Sequence, residues 1–257
     1  MEKIKKPFFS VILSTFKEKD EVILRSVNSI LNQSFSNFEF IIVKDDPSRS
    51  IETFEKLSKL DSRIKTIYNK SNIGLTKSLL VSVLKAKGEY IVRQDADDTS
   101  LKQRLKNAHE YLIKNHSVDF YSTPYIIDNK IKPLTMFQRV YSQNTIRYKN
   151  FLAHGALIIR LKVLKKINYD PTFKFAQDFD LYNRLTDSGI KLFFDRNNIS
   201  YIIGTGPDRI SNLNKKEQMN FHSLVLKRNG FNLLNNKIVK LLRFDVILDL
   251  LYYVIKR

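Results

Sequence analysis

From residue 8 to residue 95 the chain alternates short apolar, β-branched runs with segments of helical period, and little chain is spent between them. Residues 8–13, 38–43, 64–68 and 89–92 read as strands, because near-continuous apolar runs of this length suit strands buried on both faces of a parallel sheet. Asp20 is placed to cap a helix running to about Asn32, with Val22, Ile23, Val27, Ile30 and Leu31 on one face. Residues 50–60 and 76–87 carry the same period, and Gly88 is placed to stop the second of these helices. This alternation predicts an α/β fold, a Rossmann-like and mostly parallel sheet flanked by helices.

Two of the strands end in acid. Asp45 and Asp46 close the second, and Arg93, Gln94, Asp95, Ala96, Asp97 and Asp98 follow the fourth. Aspartates at such places are also common turn formers, and the pair at 45–46 fits that reading as well as a ligand role. Three carboxylates in four positions repel one another. A chain keeps such a cluster when a cation neutralises it, and aspartate oxygens are hard ligands suited to Mg2+ or Mn2+. In open α/β sheets the ligand cleft lies beyond the carboxyl ends of the strands, where these acids stand. There is no glycine-rich dinucleotide fingerprint and no glycine-lysine phosphate loop, so a nucleotide would be held by carboxylates, a metal and side chains.

Beyond residue 100 the pattern loosens. A helix is expected near 101–115, strands at 118–122, 125–128, 156–159, 192–194 and 200–203, and a helix at 178–188 broken by Gly189. Residues 214–229 and 236–256 read as helices. The chain has no cysteine, which excludes disulfides, thiolate metal sites and cysteine nucleophiles. No apolar stretch is long enough to span a membrane, and the basic N-terminus does not read as a signal peptide. The net charge of +18 favours anionic partners or serves solubility, and the excess gathers late, at Lys215, Lys216, Lys227, Arg228, Lys237, Lys240, Arg243, Lys256 and Arg257.

Seven stretches, taken in order, resemble the inverting family 2 glycosyltransferases of the GT-A fold, the type that builds bacterial surface polysaccharides. They are residues 9–16, 29–35, 42–48, 72–79, 87–98, 154–156 and 176–181, and the likeness covers roughly 7–212. It implies a GT-A domain over 1–212, with a nucleotide-binding half at 1–99 and an acceptor and catalytic half at 100–212, followed by a basic helical extension at 213–257. It implies transfer of a sugar from a nucleotide-diphosphate donor, UDP-linked by preference, to a saccharide acceptor on a lipid carrier or lipopolysaccharide. Ser14, Phe16 and Asp46 would line the nucleoside pocket, with Asp45 shaping the turn and Lys77 and Arg93 on the donor side. Asp95 and Asp97 would form the Asp-X-Asp motif, Asp97 as direct ligand of Mn2+ or Mg2+ and Asp95 nearer the ribose or a metal-bound water. Asp178 matches the general base, although taken alone it would read as a helix cap. Asp180 would orient or cap. His154 is read both as a site residue and as a satisfied, half-buried histidine, while His109, His116 and His222 read as surface or packing residues.

Two departures accompany the resemblance. Gln177 stands where the family often has Glu before the base. Gly204 and Gly206 stand where relatives often carry Arg and His, removing one contact to metal or diphosphate that Arg209 is placed to compensate. The apolar, basic run at 238–257 suits a helix on an anionic membrane surface, or one packed on the domain or a second copy. The expected location is cytoplasmic, peripheral to the inner face of the plasma membrane. Two other functions compete: a non-catalytic basic nucleic-acid binder, which the charge alone supports, and a nucleotidyltransferase, which the absence of glycine from residues 14–20 disfavours.

Overall fold

The structure, a computed structural model, describes residues 6–132, 146–147, 150–206 and 214–230. The expected 236–256 helix, the membrane-facing run and Arg209 fall outside those residues. Eleven strands and seven helices are seen among the described residues.

The first half follows the alternation closely. Strands β1 (Phe9–Thr15), β2 (Phe38–Lys44), β3 (Ile64–Tyr68) and β4 (Tyr90–Asp95) alternate with helices α1 (Asp20–Leu31), α2 (Glu52–Leu60) and α3 (Leu75–Lys85). The second half contributes β5 (Thr99–Ser100), α4 (Arg104–Leu112), β6 (Phe120–Ser122), β7 (Tyr125–Ile127), β8 (Lys130–Lys132) and a 3-10 turn at His154–Ala156. It continues with β9 (Ile158–Arg160), α5 (Leu161–Ile167), α6 (Gln177–Asp187), β10 (Leu192–Phe194), β11 (Tyr201–Ile202) and α7 (Lys215–Arg228).

The main sheet has seven strands in the order β10-β6-β9-β4-β1-β2-β3. Only β9 runs against the others, pairing antiparallel with both β4 and β6. Period-2 alternation sends Val11, Leu13, Phe40, Ile42 and Val92 to one face, where Ile23, Val27 and Ile30 of α1, Phe54 and Leu57 of α2 and Leu105 of α4 cover them. Ile12, Ile41, Ile91 and Ile159 go to the other face, under Leu79 and Val83 of α3, Leu164 of α5 and Leu181 and Leu185 of α6. Burying each such side chain stabilises by about 1.5–3 kcal/mol, so the two-faced sheet is the thermodynamic centre of the fold. A smaller sheet, β5-β11-β7-β8, joins the stretch after β4 to the far end of the domain.

Several local expectations are corrected. Asp20 does not cap α1. Lys19 holds that position without a side-chain hydrogen bond, and Asp20 accepts from Thr53 Oγ1 at 2.7 Å while pairing with Arg49. Gly88 does not end α3, which stops at Lys85 with extended Ala86 behind it. Gly88 lies instead against β1, donating its N–H to Ser10 Oγ at 2.8 Å. Gly189 does break α6, because its φ of +76° suits glycine and lets the N–H of Ile190 reach the carbonyl of Leu185 at 3.0 Å. α5 was not foreseen from the sequence, nor were β5 and β8.

One buried acid ties the amino-terminal side of the sheet together. Glu39 of β2 accepts from Ser10 Oγ at 2.6 Å, Lys65 Nζ at 2.5 Å and the N–H of Lys87 at 2.6 Å. Burial pushes its pKa up, but the bonds from Lys65, Ser10 and Lys87 outweigh it and hold the pKa below 4.5. This contribution is complete above the unfolded value and is lost as pH falls through the folded one. Glu39→Gln should cost about 1–3 kcal/mol in urea unfolding at pH 7. The loss relative to wild type should shrink as the pH is lowered below 4.5.

Candidate active site

The parallel register brings three strand ends side by side. Ser14 of β1 lies opposite Asp95 of β4 on one side and opposite Val43 of β2 on the other, and the N–H of Asp45 donates to the carbonyl of Thr15 at 2.8 Å. Ser14, Asp46 and Asp95 therefore share one edge of the sheet with half-buried Phe16. Asp46 is fixed by Ser48, whose hydroxyl and N–H donate to Oδ1 at 2.6 and 3.0 Å and hold its pKa down. Asp45 is buried at 2% exposure. It accepts from Asn69 Nδ2 at 2.8 Å, Ile73 N–H at 3.0 Å and Gly74 N–H at 2.8 Å. Its oxygens clamp the loop that leads into α3, where exposed Lys77 occupies the first turn.

The acidic turn after β4 is pinned from every side. Buried Gln94 donates from Nε2 to Ser26 Oγ at 2.9 Å and to the carbonyl of Asp98 at 3.0 Å, and its Oε1 accepts from Ser100 Oγ at 2.7 Å. Ser26 and Arg25 of α1 donate to the carbonyls of Asp95 and Asp97 at 2.8 and 3.2 Å. The N–H of Asp95 donates to Tyr201 Oη at 2.9 Å, and Gly204 N–H donates to Asp98 Oδ1 at 2.8 Å. Two buried arginines lie beneath. Arg93 donates from Nη2 to Asp95 Oδ1 at 2.5 Å, and although burial opposes its charge, Asp95 with Tyr169, Tyr201 and Asp98 raises its pKa. Arg104 donates to the carbonyls of Arg93 and Gly155 at 3.0 and 2.7 Å, and burial pushes its pKa down to about 10.

The start of α6 carries the remaining acid. Ala176, in a left-handed conformation with φ of +51°, turns the chain into this helix. The N–H of Phe179 donates to Asp178 Oδ1 at 2.8 Å, and Asn150 Nδ2 donates to Oδ2 at 2.6 Å. A carboxylate oxygen has two lone pairs, so each keeps capacity for a further donor. Asp180 points elsewhere. At 2% exposure it pairs with Arg184 at 2.7 Å and Arg228 at 3.1 Å, an orienting role between helices.

Asp95 and Asp178 act on the same ground. His154 Nε2 and Tyr169 Oη share a hydrogen bond at 2.9 Å. Burial and the Arg93 charge push the His154 pKa down to about 4, against the opposing pull of Asp178 and Asp95. The same three charges bear on the hydroxyls of Tyr169 and Tyr182, both raised chiefly by burial. Arg93, Asp95 and Asp178 thus all bear electrostatically on His154, which is hydrogen-bonded to Tyr169. The sequence singled out all four but gave no hint of Gln94, Asn150, Tyr169, Tyr182 or Tyr201, which are ordinary core and loop residues until the fold places them.

Among the described residues no three acids or histidines gather as a ready-made metal cage. Arg93 engages Asp95 at Oδ1 and Gly204 N–H donates to Asp98 Oδ1; Asp95 and the half-buried Asp97 are the candidate carboxylates. That donor set fits Mg2+ or Mn2+, since such ions are usually held by one or two carboxylates plus substrate phosphates.

Residues 10–176 match the family described as "Glycosyl transferase family 2". An uncharacterized glycosyltransferase of Methanocaldococcus jannaschii is 30% identical over 228 residues, covering 85% of this chain and 79% of its own length. The O-antigen biosynthesis glycosyltransferase WbnJ of Escherichia coli is 31% identical over 183 residues, covering 68% of this chain and 70% of WbnJ. Among solved structures, S. aureus TarS 1-349 in complex with UDP-GlcNAc superposes with a TM-score of 0.64 at 22% identity. That likeness covers 78% of this chain and 59% of the TarS chain, and at this identity it speaks to the GT-A fold alone.

The glycine at 204 has a local cause. A Cβ there would stand 2.3 Å from the carbonyl oxygen of Asp97, so no side chain fits without moving the acidic turn. Gly204→Ala should therefore destabilise by about 1–3 kcal/mol, read as a lowered urea midpoint. A wild-type midpoint in this variant would mean that the turn is not held as described.

Proposed function

The chain belongs to glycosyltransferase family 2, and from that membership we propose an inverting, metal-dependent transferase that moves a sugar from a UDP-linked donor to a saccharide hydroxyl. What supports this reading is that Asp95, held by Arg93 at the carboxyl end of β4, and Asp178, held by Asn150 at the start of α6, are distant in sequence yet both bear electrostatically on His154 and Tyr169. The UDP preference draws on the TarS complex, and the saccharide acceptor, taken to be lipid-linked, on the O-antigen relative. The place of action would be the inner face of the plasma membrane; among the described residues no helix is long and apolar enough to cross it.

In this mechanism the nucleoside lies over the ends of β1 and β2. Phe16 offers a ring face to the base, and Asp46, held ionised by Ser48, accepts the N3–H of uracil. Asp45 acts one layer down, shaping the loop that presents Lys77 to the donor. Asp97 and Asp95 would hold Mn2+ or Mg2+, whose charge would offset that of the departing diphosphate. Arg93, fully buried, sets the Asp95 carboxylate and adds a fixed positive field beside it.

Asp178 takes the proton of the acceptor hydroxyl as that oxygen attacks the anomeric carbon. The bond to the diphosphate breaks on the opposite face, so configuration inverts in a single displacement. Asn150 and the Phe179 N–H keep the carboxylate aimed. Gln177, buried beside it, adds no second negative charge. His154, with its pKa near 4, stays neutral at working pH and so does not compete for the proton.

A thermal-shift screen of UDP, GDP, CDP and dTDP, with and without Mn2+, should give its largest shift with UDP and metal together. Asp178→Asn should keep that shift while losing about 10²–10⁴-fold in transfer rate. Asp97→Asn should lose the metal-dependent part of the shift as well. Full transfer by Asp178→Asn would refute the assignment of the base.

A further inference from the structure

A cavity of about 410 Å³ opens beside the Asp178 carboxylate, within the size range of ligand pockets. Its near wall is Asp178, Phe179 and Asn150. Its far wall is Gln218, Met219 and His222 of α7, a helix that lies beyond the stretch matched by the family. This helix is fastened to the base helix. Val225 and Leu226 bury against Phe173, Ala176 and Phe179, and Arg228 pairs with buried Asp180. Asn229, just past its end, donates to Asn183 Oδ1 of α6 at 2.6 Å. The wall is therefore rigidly registered on Asp178.

The composition of the cavity is specific. Met219 leaves an apolar side chain 59% exposed, while His222 lies flat on Phe179, ring centroids 4.3 Å apart with planes at 6°. Two amides, Asn150 and Gln218, supply donors and acceptors around them. Among the described residues no lysine or arginine lines the cavity, and the one formal charge they bring to it is the carboxylate of Asp178. Burial lowers the pKa of His222, against a smaller pull from Asp178, so the imidazole adds no positive charge at neutral pH. A sugar ring matches these surfaces, with a C–H face for Met219 and hydroxyls for the amides. An acidic sugar would bring its carboxylate against Asp178 with no cation among the described lining residues to offset it.

We propose that α7 forms the acceptor subsite, and that Gln218 and Met219 select a neutral saccharide and hold its hydroxyl toward Asp178. This rests on the reading of Asp178 as the base. The chain has only three methionines, so the 13C-methyl spectrum of methionine-labelled full-length protein is sparse, and Met219→Leu identifies the Met219 signal. The probes are methyl glycosides of glucose, N-acetylglucosamine, galactose, mannose and rhamnose, with methyl glucuronide as the acidic arm, titrated at millimolar concentration with UDP and Mn2+ present.

At least one neutral glycoside should move the Met219 signal saturably. Gln218→Ala, at a half-buried position of α7, should weaken that binding about fivefold, as loss of one hydrogen bond would. Methyl glucuronide should leave the signal in place. A signal that no neutral glycoside moves, a Gln218→Ala titration like wild type, or glucuronide binding as tight as the neutral sugars would each overturn the proposal. UDP stabilisation alongside a static Met219 signal removes the subsite but not the transferase reading. A moving signal without any nucleotide response supports the subsite and counts against the donor reading.

Discussion

The ion pair between Arg93 and Asp95, at 2.5 Å, is what makes the rest of the site possible. Like charges a few ångströms apart repel by roughly 4 kcal/mol at an effective dielectric near 20, so Asp95, Asp97 and Asp98 cannot crowd one turn unaided. Buried cations and directed donors offset that repulsion. Arg93 answers Asp95, Gly204 answers Asp98, and Gln94 with Ser26 and Arg25 takes the backbone carbonyls. A buried arginine is itself costly unless paired, so Arg93 and its carboxylate stabilise each other. The turn thus carries more negative charge than a loop ordinarily tolerates.

The sheet does the positioning. Parallel pairing sets Ser14, the end of β2 and Asp95 at a common edge, and the reversed strand β9 returns His154 to the same region, with the N–H of Arg93 bonded to the carbonyl of Leu157 at 3.0 Å. α6 then supplies Asp178, whose charge reaches both His154 and Tyr169. The second sheet has a mechanical part, because β11 delivers Tyr201 and Gly204 to the acidic turn. Two halves of the chain that alternate differently in sequence are locked together at the place where the chemistry is expected.

Much of this could be read in advance where one dominant force writes the pattern. Alternating burial fixed β1–β4 and their helices, because a strand covered on both faces leaves a continuous apolar run such as Phe38–Lys44. The acids were legible because Asp95–Asp98 makes no sense without compensation. What stayed hidden depends on contacts distant in the chain. β5 has two residues and owes its state to β11. Gln94 and Asn150 are unremarkable amides until Ser26, Ser100 and Asp178 meet them. Asp20 and Gly88 looked like helix punctuation, yet tertiary partners on α2 and β1 claimed them. Gly204 looked like a lost side chain, and the carbonyl of Asp97 shows that the space for one does not exist.

The most direct measurement is a crystal structure of the chain grown with UDP and Mn2+, with anomalous data to locate the metal. The expected result is an anomalous peak at the carboxylates of Asp95 and Asp97, the uracil beside Phe16 and Asp46, and Asp178 facing the open side of the site. A nucleotide bound away from the carboxyl ends of β1, β2 and β4, or a metal held without either aspartate, would contradict it.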